Sequence, residues 1–154
     1  MSDHPTTPAH EQHESFHEDI LYPEHVQRTE SSEFRANKHL LVHQLDLGCW
    51  ICGSKQDREV HHFASEWSLW DSLDPALVLD TVLHIDPYGY AAKDPSTPMS
   101  SPDDIRNLMV LCEKHHRHPY FGVHTITMPI WIAQRSVKPG VAVTEDPTAQ
   151  EEGS

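Results

Sequence analysis

The sequence has no long apolar run and few cysteines. No stretch reaches the roughly 18 consecutive apolar residues that a transmembrane helix needs. Three cysteines, two of them in a Cys-x-x-Cys pair, suit metal ligation in a reducing compartment better than a disulfide framework. Residues 1–20 also lack the basic start and the apolar stretch of a secretory signal. We therefore expect a protein of the cytoplasm.

Basic residues are scarce as well. The chain has 11 Lys and Arg against 24 Asp and Glu, a formal net charge of −13. Residues 1–34 hold eight acids and one base, and residues 144–154 hold four acids and no base. Residues 35–143 are close to neutral, with twelve acids and ten bases. This distribution excludes a strong electrostatic footprint for nucleic acid, although it is compatible with a local patch that binds a phosphate backbone.

The composition divides the chain into three regions. Residues 1–34 are polar and have no hydrophobic period, so they are predicted to form a disordered acidic tail. Five histidines lie in this tail, which is either simply solvated or a loose metal-binding segment: His4, His10, His13, His17 and His25. We predict one domain over residues 35–143, in which residues from about 64 to 104 form an insert. Residues 144–154 are predicted to be a second disordered acidic tail.

Local patterns predict short elements within the domain. The segment GCWICGSKQDREVHHF predicts a tight turn at residues 49–52 followed by a strand. In the insert, Asp74 followed by Pro75 is a good N-cap and first-turn pair, so two short helices are expected to meet there. The segment LCEKHHRH predicts a helical start that ends at Pro119, and a last helix is expected from Pro129.

Two pairs of metal-ligating residues share one spacing. Cys49 and Cys52 have two residues between them, and Cys112 and His115 repeat this spacing sixty residues later. Four such ligands match a closed tetrahedral zinc site, with Zn–S distances of about 2.3 Å. The alternative is three unrelated buried thiols, but it does not explain why all three cysteines fall in this pattern. We predict a structural zinc that stabilises the domain.

The zinc site uses only one histidine of the two adjacent pairs and leaves three unexplained: His61, His62 and His116. His61 and His62 follow one another on the predicted strand, so their side chains point to opposite faces. His116 follows His115 on a predicted helix, where consecutive side chains point about 100° apart. His116 is therefore expected to point away from the zinc and towards the strand. This arrangement predicts a second metal centre at the junction of helix and strand.

The chain resembles the HNH endonucleases, the zinc-stapled type of ββα-metal nucleases. The resemblance lies in the segments CWIC, VHHF and NLMVLCEKHH and covers residues 48–63 and 105–118. It implies an α+β fold: a small ββα-metal core with a structural zinc, a helical insert and disordered acidic tails. It also implies DNA as a partner and a metal-dependent endonuclease activity. Small standalone proteins of this design resemble phage or mobile-element products, which would place this one in a host cytoplasm.

The same resemblance implies roles for four residues. His62 would be the general base, and Asn107 would orient its ring by hydrogen bonding. His61 and His116 would hold one catalytic divalent cation, Mg²⁺ or another. The chemistry suits these residue types, because an imidazole with a pKa near about 6.5 can take a proton from water near neutrality. A cation would stabilise the charge that develops on the phosphate.

Several assignments stay open. His115 replaces the fourth cysteine of the family pattern, and the insert is longer than in compact members. His118 and His124 are each a candidate further ligand or an ordinary exposed or structural histidine. Arg117 is either a contact to the scissile phosphate or a solvated charge at a helix end.

The insert adds an alternative function. Four aromatic residues within it could cover the cleft, bind a protein partner or stack on bases, or they could simply pack the helices: Trp67, Trp70, Tyr88 and Tyr90. The alternative to a nuclease is an HNH fold that no longer cuts and acts as a protein-binding module.

Overall fold

Two antiparallel strands lie at the centre of the fold in the computed structural model, which describes residues 4–149. β1 spans Arg58–His62 and β2 spans Leu108–Cys112. The register pairs His61 with Met109 and His62 with Leu108. α4, Glu113–Arg117, follows β2 directly. The prediction of a mixed α+β fold is confirmed, and the two strands with α4 form a small β–β–α unit.

Both faces of this two-stranded sheet are covered. All five residues of β2 are buried, as expected for a strand enclosed on both sides. Leu108 and Val110 pack in one apolar cluster with α1 (Ser32–Lys38), whereas Met109 and Leu111 pack in another with the Cys-rich turn at residues 49–52 and with α5 (Met128–Ala133). Because His62 pairs with Leu108 and side chains alternate along a strand, His62 lies on the α1 side and His61 on the opposite side.

The first helix begins before residue 35, which is where the composition predicts the domain to start. Residues 4–27 are exposed and contain no helix or strand. α1, however, spans Ser32–Lys38 and continues into a π-helical stretch over His39–Gln44. Ser31 caps α1 by accepting a hydrogen bond from the Phe34 N–H, at 2.9 Å. The predicted tail boundary at residue 34 is therefore wrong, because an N-cap and a buried phenylalanine fix residues 31–34.

The insert forms its own small core. A 3₁₀ stretch spans Trp67–Ser72, α2 spans Pro75–His84 and α3 spans Tyr90–Lys93. The predicted start of α2 is confirmed, since the Asp74 carboxylate accepts a hydrogen bond from Ala76 N–H at 2.9 Å. The buried core of the insert consists of Val78, Val82, Ala91 and Met99.

Tyr88 and Arg106 join the insert to the sheet. The Tyr88 hydroxyl accepts a hydrogen bond from the Val110 N–H of β2, at 2.8 Å. Arg106 lies in a short 3₁₀ stretch, Ile105–Asn107, and is only 4% exposed. Its guanidinium pairs with the Asp104 carboxylate at 2.7 Å and donates to two carbonyl groups of the loop after α3. Tyr88 and Arg106 therefore have structural roles that the sequence does not reveal.

The C-terminal part packs on α4. α5 spans Met128–Ala133, close to the predicted start at Pro129. The indole N–H of its buried Trp131 donates to the His115 carbonyl at 2.7 Å. Asp146, in the predicted second tail, lies 3.4 Å from the His118 ring, and the last five residues of that tail are outside the described residues. Over residues 4–149 no helix is long and apolar enough to cross a membrane.

Candidate metal centres

The four predicted zinc ligands converge at one end of the β–β–α unit. Their sulfur and nitrogen atoms all lie within 4.8 Å of one another: Cys49, Cys52, Cys112 and His115. The His115 Nδ1 atom is 3.3 Å from the Cys112 sulfur and 3.8 Å from the Cys49 sulfur. Tetrahedral zinc with its usual bond lengths separates such ligands by about 3.5–3.8 Å. This Cys₃His site is therefore close enough to hold a metal ion and is compatible with a structural zinc.

Backbone geometry builds the turn that carries the first two ligands. The Gly53 N–H donates to the Cys49 carbonyl at 2.7 Å, and the Cys49 N–H donates to the Ser54 carbonyl at 2.8 Å. A Cβ atom on Gly48 would lie 2.2 Å from the Gly53 carbonyl oxygen, and Gly53 itself has a φ of +78°. Both positions therefore need glycine for the turn to close around a metal.

The protonation chemistry of the thiols also suits a cation. Burial and the neighbouring Cys49 raise the pKa of Cys112 to about 12. Burial also opposes ionisation of Cys49, but hydrogen bonds from His115 and from backbone amides outweigh it and lower the pKa of Cys49 to about 6. Cys49 and Cys112 therefore do not both ionise near neutrality without a compensating positive charge. A bound dication would supply that charge.

Three histidines form a second cluster beside the first. His61 from β1, His116 from α4 and His124 from the following loop have ring centroids 4.9–5.1 Å apart. The Nε2 atoms of His116 and His124 are 3.1 Å apart, and one nitrogen of each ring lies within 4.8 Å of the others. We call these three residues the histidine cluster. The structure thus brings His61 together with His116 and adds His124.

A tight turn explains why His124 joins the cluster and His118 does not. The Gly122 N–H donates to the His118 carbonyl at 2.7 Å, and a Cβ atom on Gly122 would lie 2.8 Å from that carbonyl oxygen. The chain therefore folds back closely on the end of α4 and returns His124 to His116. His118 points elsewhere, towards Phe121 and Asp146.

Two members of the histidine cluster, His61 and His116, have lowered pKa values. Burial, together with the charges of the neighbouring histidines, lowers the pKa of His61 to about 3. Burial and His124 also lower the pKa of His116. Within residues 4–149, the buried Nδ1 atom of His116 has no hydrogen-bond partner, and the Glu59 carboxylate lies 3.7 Å away. Neutral imidazoles offer lone pairs to a metal, so these residues fit a divalent cation.

Arg117 is engaged with carboxylates. Its guanidinium donates to Glu59 at 2.9 Å and lies 3.6 Å from Glu113, and 57% of its side chain is exposed. Arg117 therefore forms surface ion pairs in this structure, and its predicted phosphate contact would require it to leave them.

His62 has a different partner from the one the resemblance implies. The Asn107 side chain accepts hydrogen bonds from Ala64 N–H and Ser65 N–H, both at 3.0 Å. It donates to the Ser65 carbonyl at 3.0 Å and to the Pro102 carbonyl at 2.8 Å. Its amide is fully used in joining the two ends of the insert. The expected hydrogen bond from Asn107 to His62 is therefore wrong, because Asn107 is fully buried between these loops.

Asp103, and not Asn107, forms the hydrogen bond to the His62 ring. Its Oδ1 atom accepts a hydrogen bond from His62 Nε2 at 2.7 Å. The Arg28 guanidinium lies 3.5 Å from the other ring nitrogen, Nδ1, and the Phe34 ring stacks on the imidazole at a centroid distance of 5.4 Å. His62 is only 6% exposed. Burial lowers the pKa of His62, partly offset by the hydrogen bond to Asp103.

Glu66 is a half-buried carboxylate that interacts electrostatically with Arg28 and with His124 of the histidine cluster. Burial raises the pKa of Glu66, and the charges of His124 and Arg28 act in the opposite direction. Sequence reasoning missed Glu66, Arg28 and Asp103. The signal for Arg28 was that it is the one base among residues 1–34, whereas nothing in the sequence distinguishes Asp103 from its acidic neighbour Asp104.

Comparisons of the chain with protein-family models, with curated proteins and with solved structures find no match. The resemblance to a nuclease family therefore depends on the motifs and on the geometry described above.

Proposed function

We propose that this protein is a metal-dependent endonuclease of the HNH type that hydrolyses DNA phosphodiester bonds. The observation that carries the proposal is the histidine cluster. Three imidazoles from a strand, a helix and a loop meet on a β–β–α unit that also carries the Cys₃His site. Two metal sites of different character on so small a unit favour one structural and one catalytic ion.

The donor set favours some cations over others. His61, His116 and His124 would hold the ion, which when bound would supply Lewis-acid stabilisation of the charge that develops on the phosphate. Imidazole ligands suit Zn²⁺, Ni²⁺ or Fe²⁺, whereas Mg²⁺ prefers oxygen ligands. We therefore propose a transition metal and not Mg²⁺ at the histidine cluster.

His62 is the proposed general base. With Nε2–H donated to Asp103, the lone pair lies on Nδ1 and takes the proton of the attacking water. The lowered pKa of His62 keeps this nitrogen unprotonated near neutrality. Arg28 faces the same nitrogen, so substrate must displace its guanidinium, and a phosphate is the natural competitor for an arginine.

Nicking of supercoiled plasmid tests this function. Zinc-loaded protein is assayed with Mn²⁺, Ni²⁺, Zn²⁺ or Mg²⁺ added, and wild type is compared with His62→Ala. His84→Ala is the matched control, because His84 lies on α2 with 77% of its side chain exposed. Loss of a general base is expected to slow cleavage by about 10²- to 10⁴-fold, and the control should cut at the wild-type rate.

Two results would count against the proposal. Intact plasmid with every cation, at full occupancy of the Cys₃His site, would exclude a DNA nuclease. Equal rates for wild type and His62→Ala would exclude His62 as the base.

Loss of activity in both His61→Ala and His116→Ala, with zinc content unchanged, would support the histidine cluster as the second site.

A protein-binding module is the second candidate function. The observation that favours it is the cover over His62, where Phe34 and Arg28 close the ring off from solvent. The shortage of basic residues favours it too. A stoichiometric protein partner combined with intact DNA in the nicking assay would support this candidate over the nuclease.

A further inference from the structure

The Asp103 carboxylate is surrounded by three donors from two parts of the chain. Oδ1 accepts from His62 Nε2 at 2.7 Å and lies 3.3 Å from the Arg28 guanidinium. Oδ2 accepts from the Ser31 hydroxyl at 2.6 Å. The Asp103 carbonyl accepts from the Asn37 amide at 2.9 Å. Asp103 therefore ties β1 to the segment that leads into α1.

This carboxylate is held in its ionised form. Burial opposes ionisation, but the hydrogen bonds from Ser31 and His62, together with the Arg28 charge, outweigh it and lower the pKa of Asp103. An ionised carboxylate can only accept hydrogen bonds, so Nε2 of His62 must carry a hydrogen. The tautomer of His62 follows from its partner.

We infer that Asp103 is a positioning residue that fixes the ring and the tautomer of His62, so that Nδ1 is left as the proton acceptor. The catalytic consequence of this inference rests on the proposed function, whereas the hydrogen bond itself does not. Phe34 stacks on the ring with an interplanar angle of 18°, so the ring is held both at its edge and on its face. A carboxylate that holds a histidine in one tautomer is a known way to prepare it as a base.

Nitrogen-15 spectroscopy of the histidine rings tests the inference. Full-length, zinc-loaded protein is labelled with ¹⁵N-histidine, and the His62 signals are identified by their loss in His62→Gln. We expect the Nε2–H tautomer in wild type and a mixture or the opposite tautomer in Asp103→Asn. Asp80→Asn is the matched control, since Asp80 lies on α2 with 70% of its side chain exposed, and it should leave His62 unchanged.

Cleavage kinetics provide the second readout. In a nuclease, Asp103→Asn is expected to lower kcat about 10- to 100-fold with little change in KM, because the carboxylate orients the base and does not bind DNA. Ser31→Ala keeps the contact between Asp103 and His62 and should retain both the tautomer and most of kcat.

The outcomes separate the inference from the proposed function. An Nδ1–H tautomer in wild type, or an unchanged His62 spectrum in Asp103→Asn, would overturn the inference whatever the cleavage result. The wild-type spectrum decides this even if Asp103→Asn does not fold. The expected spectra together with no cleavage by wild type would uphold the positioning role of Asp103 and reject the nuclease.

Discussion

Asn107 offers the sharpest prediction, because the resemblance and the structure assign it different tasks. We consider Asn107→Ala. This change removes four hydrogen bonds, of 2.8–3.0 Å, that join the two ends of the insert at residues 64–65 and at Pro102. Each of the four backbone partners left without its hydrogen bond costs about 1 kcal/mol, so the free energy of unfolding should fall by about 4 kcal/mol.

Thermal and urea unfolding of the zinc-loaded protein measure this loss. For a chain of this length, about 4 kcal/mol corresponds to a fall in Tm of about 8–16 °C. Asn37→Ala is the matched control, since the Asn37 amide donates one hydrogen bond, to the Asp103 carbonyl, and should cost about 1 kcal/mol. The ¹⁵N signals of His62 should keep their tautomer in Asn107→Ala.

A small effect would refute this reasoning. If Asn107→Ala unfolded within about 1 kcal/mol of wild type and changed the tautomer of His62, then Asn107 would orient the histidine after all. The role implied by the family pattern would then replace the structural one.

Three further predictions concern the metal site, the insert and pH. Gly48→Ala should release zinc faster to a chromogenic chelator, because its Cβ would lie 2.2 Å from the Gly53 carbonyl oxygen. Tyr88→Phe should lower the free energy of unfolding in urea by about 1–3 kcal/mol, because it leaves a buried β2 N–H without its acceptor. The pKa of Asp104 is lowered in the folded state: burial raises it, but the hydrogen bonds and charge of Arg106 prevail. The carboxylate therefore stabilises the fold above its unfolded pKa of 3.8 and loses this effect as the pH falls further, so the stability difference between wild type and Asp104→Asn should shrink in acid.

The sequence was most informative where the determinants are local. The two-residue spacings within the Cys₃His set place both members of each pair on one turn, so this cluster could be predicted without knowledge of the fold. The start of α2 was equally accessible, because Asp74 and Pro75 cap a helix through neighbouring backbone groups. Strand alternation correctly separated His61 from His62.

Contacts between distant segments could not be predicted in the same way. His62 and Asp103 are 41 residues apart, and no local pattern selects Asp103 over Asp104. The docking of residues 28–34 was hidden by the composition of the acidic tail, in which one arginine and one phenylalanine make the decisive contacts. The choice of His124 over His118 depends on how sharply the chain turns at Gly122.

The position of Trp131 gives the protein a built-in optical probe. Its indole N–H donates to the carbonyl of His115 in the Cys₃His site, and its ring stacks on Trp50, which lies between Cys49 and Cys52. Trp131 is thus hydrogen-bonded to a residue of the Cys₃His site and Trp50 lies in its Cys-rich turn, whereas Trp67 and Trp70 lie in the insert. Because the Cys-rich turn carries Trp50, we expect loss of a metal ion from this site to disturb the stacked pair and change its emission. Metal occupancy can therefore be followed by intrinsic fluorescence, with Trp67→Phe and Trp70→Phe removing the background.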